Sequence, residues 1–284
     1  MSSQIHWFPG HMNKALREIE ERIKVVDVVI EILDARAPLS SINEELEKLI
    51  ANKKRLVILS KPDLADLKVT PLLVNLLKKS YDDVLVLNLT DNNAGKSIAK
   101  SINILGEEKH KKEMAKGMKP QPIRAMILGI PNVGKSSLIN RIANRRAAGV
   151  QNKPGYTRGE QWIKVNKDFL LMDTPGVLPM SYENVKKAAN LALIGAIRED
   201  ILPNEELVKI LLSYLKKHYP LALKERFNIE EIKDANIVIE QICLNRNLVN
   251  NSGEKDISRA MNLLLKEFKD GKLGRFTLEN EYVS

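Results

Sequence analysis

Gly129-Ile-Pro-Asn132-Val133-Gly134-Lys135-Ser136 decides the fold of this 284-residue chain. The stretch matches G-x-x-x-x-G-K-[ST], the pattern of a loop whose backbone amides wrap nucleotide phosphates. The apolar run Ile123–Leu128 (IRAMIL) precedes it and a helical pattern from Ser137 to Arg145 follows, so a strand hands over to a helix at this point. Amides from Asn132 through Ser137 can then face an anion. The glycines admit its close approach, and the helix N-terminus adds partial positive charge. Lys135 is expected to reach the β- and γ-phosphates and the Ser136 hydroxyl to bind Mg²⁺.

Downstream, Asp173-Thr-Pro-Gly176 follows the apolar run Phe169–Met172 (FLLM), 38 residues after Lys135. A carboxylate at a strand end can hold Mg²⁺ through water, and the Gly176 amide can reach the γ-phosphate. Between the two lies Pro154-Gly-Tyr-Thr157-Arg158, whose Thr157 would complete the Mg²⁺ shell when triphosphate is bound. Val177 and Leu178 come directly after Gly176. Neither can hydrogen-bond a water, so the attacking water needs another partner.

Upstream, short β-branched runs alternate with helical segments. Val25–Leu33, Arg55–Leu59 and Val84–Leu89 read as buried strands, and Gln161–Val165 continues the series. Ile42–Ala51 and Thr70–Ser80 read as helices, the second with Thr70 as N-cap and Pro71 at the first helical position. This alternation predicts an α/β domain, a mostly parallel sheet with helices on both faces. Ser60-Lys61-Pro62-Asp63 ends one strand: the Asp63 carboxylate can accept from guanine's N1–H and exocyclic amine while the Lys61 stem packs along the ring. Asn88-Leu89-Thr90 ends the next strand, where a second base-supporting loop belongs. Both loops precede the phosphate loop, the first by about 70 residues, which a circular permutation explains. The charged stretch 106–121 reads as the linker bridging the former chain ends.

From 181 to 284 the pattern turns helical, with segments at 183–199, 204–219, 229–244 and 254–270, no strand pairs, and Gly271 as a C-terminal stop. This part holds 16 basic and 16 acidic residues, so the net charge of +9 lies entirely in 1–180. Residues 96–124 carry 8 basic against 3 acidic side chains and 135–167 carry 8 against 1, two stretches that suggest a polyanionic partner. Solvated lysine surface is the plainer explanation of the same charge. Hydrophobic residues at 44% and charged residues at 29% exclude a disordered tail or a fibre. Cys243 is the only cysteine, so no internal disulfide forms. No run of about 18 apolar residues occurs, and a cytoplasmic protein that does not enter a membrane is expected.

The motif order, the opening His6-Trp-Phe-Pro-Gly-His11-Met-Asn-Lys14-Ala15, Asp34-Ala-Arg36-Ala-Pro38 and the Gly-Ile-Pro-Asn-Val-Gly-Lys-Ser loop together resemble the circularly permuted GTPases, over essentially the whole chain. The resemblance implies a permuted Ras-like P-loop GTPase domain over 1–180 and a helical domain over 181–284 that contacts RNA and the ribosome. It implies GTP and GDP as ligands, and GTP hydrolysis coupled to late assembly of the large ribosomal subunit, with its precursor and rRNA as partners and a monomer in solution. The family pattern has asparagine at the position of Ser60, whose single hydroxyl lacks the amide that braces the neighbouring loop. His11, titratable and flanked by Gly10 and Lys14, is the candidate for orienting the water; a helix cap or packing on Trp7 is the alternative. Asn132 is a candidate oxygen donor to K⁺ beside the phosphates, or merely shapes the loop. A nucleotide-gated RNA-binding module with incidental hydrolysis and a P-loop ATPase stay open as alternatives.

Overall fold

The computed structural model describes residues 5–6, 9–144, 162–165, 167–174, 176–178, 181–182, 184–197 and 202–283, with backbone alone at 5–6, 9–12, 141–144 and 181–182. β1 (Ile5–His6) leads into α1 (Pro9–Arg22), β2 (Val28–Asp34), the short α2 (Pro38–Ser41) and α3 (Glu44–Ile50). β3 (Lys54–Ser60), α4 (Val69–Leu77), β4 (Asp83–Val86) and the long α5 (Ala94–Ala115) follow. Next come β5 (Ile123–Leu128), α6 (Lys135–Asn144), β6 (Trp162–Lys164), β7 (Phe169–Met172) and β8 (Ser181–Tyr182). The remainder is helical: α7 (Val185–Leu193), α8 (Asn204–His218), α9 (Lys224–Phe227), α10 (Ala235–Asn245) and α11 (Ile257–Lys269).

Six strands form one sheet in the order β4-β3-β2-β5-β7-β6. The first five are parallel, and β6 runs antiparallel to β7. β2 is buried along its whole length, as its β-branched run requires of a central parallel strand. One face carries Val28, Ile30, Ile32, Leu56, Ile58 and Ile127 beneath Ile98 and Ile102 of α5. On the other, Val29, Met126 and Met172 meet Ala15 and Ile19 of α1, and Leu33, Val57 and Leu59 meet Leu77 of α4. The chain runs outward from β2 through β3 to β4, then returns to β5 beside β2 and runs outward again to β7. The strand order therefore reverses between β2 and β5, and parallel sheets bind ligands at the carboxyl ends beside such a reversal. The expected fold class holds.

Three local expectations are corrected. The stretch read as a linker from 106 to 121 is helical as far as Ala115, continuous with α5. Its stability does not come from an apolar face. Lys111 pairs with Glu107, Lys112 with Glu108 and Lys109 with Glu113, each one turn apart. Thr70 does not cap α4: the N-cap position is Lys68, which makes no side-chain cap bond, and Asp66 just before it accepts from Lys68 N through Oδ1 at 2.7 Å, while the Thr70 hydroxyl donates back to Asp66 O. Strand pairing also reaches past 181, because β8 pairs antiparallel with β1 and Val249 bridges Lys255. Of the helices after 181, α7, α8 and α11 lie within the predicted segments and α10 runs one residue past its segment, whereas the short α9 falls in a stretch where no helix was expected; Gly271 ends α11 at φ +73° as a glycine stop should. One apolar cluster runs without a break from the sheet face under α5 to Leu207 and Leu211 of α8 and Leu264 and Phe268 of α11.

Candidate functional site

Because β2, β3, β4, β5 and β7 are parallel, Asp34, Ser60, the 87–90 turn, the 129–135 loop and Asp173 all gather at one edge of the sheet. The phosphate loop leaves β5 through Gly129 at φ +148°, Asn132 at φ +62° and Gly134 at φ +105°. A Cβ on Gly129 would stand 2.6 Å from Ile32 O, so only glycine lets the loop lie this close to β2. Val133 packs into the core and anchors the loop from below, while Ser136 and Ser137 are exposed in the first turn of α6.

Lys135 is buried, and its Nζ donates to Gly129 O at 2.9 Å and Ile130 O at 2.8 Å. Burial pulls its pKa down to about 8, and the Asp173 carboxylate pulls the other way. Asp173 is pushed up by its own partial burial, offset by the Thr174 amide and the Lys135 charge. The next loop closes on this ammonium: a Cβ on Gly176 would lie 3.0 Å from Lys135 Nζ and from Pro131 N. Thr174 Oγ1 donates to Ile127 O at 2.5 Å and Asn43 Nδ2 to Val177 O at 3.2 Å, which holds Thr174 and Val177 on either side of Gly176. A partly desolvated ammonium resting on two loop carbonyls, inside a cradle that a side chain would fill, fits a phosphate group.

Val177 faces away from this cradle and is buried with Ala15, Ile19 and Met172. It therefore cannot orient a water. His11 lies in the first turn of α1; its side chain is outside the described residues, as is Thr157 altogether. The helix that carries His11 nevertheless packs, through Ala15 and Ile19, into the cluster that holds Met172 and Val177 on either side of Asp173. Asn132 Nδ2 donates to Gly195 O at 2.9 Å, which leaves the carbonyl end of that amide for a cation.

The two loops expected to read the base meet each other. Asn88 Nδ2 donates to Asp63 Oδ1 at 3.3 Å, and Asn88 Oδ1 accepts from Thr90 N at 3.0 Å and Thr90 Oγ1 at 2.7 Å. Leu89 is buried, with its side chain 2.9 Å from where a Gly134 Cβ would stand, so this loop abuts the phosphate loop. Ser60 is buried and its hydroxyl donates to Leu33 O at 3.0 Å; it braces β2, not a neighbouring loop. Lys61 takes φ +54°, and Pro62 O accepts from Ala65 N, which turns Asp63 outward. The Lys61 ammonium lies 2.9 Å from Asp34 Oδ2.

Asp34 and Arg36 belong to this site, although sequence reasoning gave neither a role. Arg36 grips Asp34 with two bonds, Nε to Oδ1 at 2.9 Å and an Nη to Oδ2 at 2.8 Å. Burial pushes the Asp34 carboxyl up, but Arg36 and Lys61 more than offset it and hold the group below the usual carboxylate range. The signal was present: an acid and an arginine two residues apart at the end of an apolar strand imply a buried pair.

Comparison with known proteins decides the family. The chain is 42% identical to "Ribosome biogenesis GTPase A" of Bacillus cereus, covering 97% of this chain and 93% of the relative. It belongs to the ribosome biogenesis GTPase A family. The relative of that name from Priestia megaterium is 40% identical over 97% of this chain and 96% of its own length. Residues 124–244 also match the model of the 50S ribosome-binding GTPase family. Among solved structures, GNP-bound YlqF from T. maritima superposes with a TM-score of 0.65 at 25% identity, covering 94% of this chain and 97% of that one. The expected class, a circularly permuted P-loop GTPase domain with a helical region after it, is thus the class of this family.

Proposed function

We propose that this chain is a GTP-binding and GTP-hydrolysing assembly factor for late maturation of the large ribosomal subunit. The observation that carries it is the gathering, at one sheet edge, of a buried Lys135 ammonium with Asp63 and Asn88 in the reverse of the usual chain order. Lys135 binds and orients the phosphates, and amides from Asn132 to Ser137 surround them. Mg²⁺, held by Ser136, Thr157 and Asp173, would neutralise charge on the β- and γ-phosphates. Asn132 offers an oxygen to K⁺ on the same side. Lys61 and Asp63 select guanine, with Asn88-Leu89-Thr90 supporting the base. His11 orients the water, because the Val177 side chain is in the core. The family and the basic stretches at 96–124 and 135–167 support the ribosomal precursor and its rRNA as partners, and the family supports a cytoplasmic setting. Among the described residues no helix is long and apolar enough to cross a membrane.

Titration with GTP, GDP, ATP and XTP tests the base-reading part. Guanine nucleotides should bind most tightly. Equal affinity for ATP and GTP would make this a P-loop protein without base selection.

A further inference from the structure

Both flanks of the Lys61–Asp63 loop are held by residues beyond 190. On the amino side the bonds run through one guanidinium. Arg36 holds Asp34, Asp34 holds the Lys61 ammonium, and Arg36 itself donates to Ile194 O and Lys269 O, both at 2.9 Å. Those two carbonyls end α7 and α11, where last-turn carbonyls have no partner within their own helix. The turn at Ile194-Gly195 also accepts from Asn132 in the phosphate loop, so one turn touches both halves of the nucleotide site.

On the carboxyl side, the segment after α11 folds back over the loop. Gly271 sits on Leu64, with a hypothetical Cβ 2.5 Å from Leu64 Cδ2. Phe276 N donates to Leu64 O at 3.0 Å and Leu278 N to Arg36 O at 2.7 Å. Asp66 N donates to Thr277 Oγ1 at 3.2 Å, and Tyr219 Oη donates to Asp66 Oδ2 at 2.9 Å. Thr277 and Glu279 are buried, and Glu279 accepts from Leu39 N and Ser40 N at 2.7 and 2.6 Å. Ser60 adds nothing outward, since its hydroxyl is spent on Leu33 O.

We propose that Arg36 and the strap 271–279 are positioning elements for guanine selection, so that the helical part fixes the geometry with which Asp63 meets the base. This rests on the assignment of Asp63 as the base reader. A carboxylate accepting two donors at fixed separation loses discrimination when its loop can shift, because hydrogen bonds weaken steeply with misalignment.

The test is the ratio of dissociation constants for inosine diphosphate and GDP, which differ only in the exocyclic amine that Asp63 would accept. Both ligands report on the same folded fraction, so a loss of stability alone leaves the ratio unchanged. The parent should prefer GDP by about tenfold or more, the range of one hydrogen bond to a charged group. Asp63→Ala should bring the ratio close to one. The near-isosteric pair Thr277→Val with Tyr219→Phe, which removes both ties to Asp66, should lower it about threefold or more. Arg36→Lys should lower it further, and the Thr277 and Tyr219 pair still decides the matter if that variant fails to fold. A parental ratio in the strap variants, with the ratio collapsed in Asp63→Ala, overturns the positioning role alone. A parental ratio in Asp63→Ala overturns the base-reading assignment, and the positioning role with it.

Discussion

At the scale of single residues, two buried ionisable groups make opposite contributions. The buried Lys135 is proposed to meet phosphate, and Lys135→Ala should weaken GTP binding by ~10–100-fold, the range of a lost charge-assisted contact. Equilibrium binding equal to the parent would remove the phosphate-loop assignment. Asp63→Asn should shift preference toward xanthine nucleotides, since the amide can donate where the carboxylate only accepts; competition between GDP and XDP checks it. Glu31 is buried in the middle of β2 near Glu47, Arg55 and Tyr81. Burial first, then the Glu47 charge, pushes its pKa from 4.5 up to about 8. Between those values the folded chain holds a proton that the unfolded chain releases. Stability from this group is full at low pH and is lost as pH rises toward 8, by up to about 1.4 kcal/mol per pH unit. Glu31→Gln should flatten that slope in urea melts at pH 6 and pH 8. The phosphate-loop residues were legible in the sequence because the spacing of Gly129, Gly134, Lys135 and Ser136 dictates its own geometry. The Asp34–Arg36 pair was signalled by its spacing, but its place in the site was not, because the other partners of Arg36, the main-chain carbonyls of Ile194 and Lys269, are far away in the chain.

Among the elements, α5 shows where reading by apolar period fails. Its amino half carries the core residues Ile98 and Ile102, and the stretch after Gly106 is mostly charged and without apolar period, so that part looks like linker. One-turn ion pairs and continuity with a packed helix are enough to carry it on to Ala115. The strands were legible because buried parallel strands are short, apolar and punctuated. Their ends shifted by a few residues where backbone bonds, not composition, decide; Leu87 N still donates to Leu59 O beyond β4. Two glycines in α5 should respond oppositely to alanine. Nothing lies within 4 Å of a Cβ on Gly95, so Gly95→Ala should stabilise by up to about 1 kcal/mol through helix propensity. A Cβ on Gly106 would stand 2.4 Å from Ile123 Cδ1 under the sheet, so Gly106→Ala should destabilise by about 1–3 kcal/mol despite the same propensity gain. Thermal melts of the two variants check both signs, and stabilisation by Gly106→Ala would mean that α5 does not press on β5.

For the molecule as a whole, the charge divides the labour. The part before 181 carries the entire excess of +9, and the helices after it are neutral. On the proposed function, salt-sensitive attachment to RNA should belong to the basic stretches, and the helical part should add shape and specific contacts. With Val177 in the core, turnover by the isolated chain should be slow, and docking on a particle should accelerate it. His11→Ala should abolish the accelerated rate while leaving GTP affinity nearly unchanged, the mark of a group that acts only in the transition state. Full acceleration of that variant would remove the role of His11 alone. The most direct measurement is GTP turnover with and without large-subunit particles at low and high salt. We expect slow turnover alone, strong stimulation by particles at low salt, and a steep loss of stimulation as salt rises. Turnover that particles leave unchanged at low salt would contradict a GTPase that works on the assembling subunit.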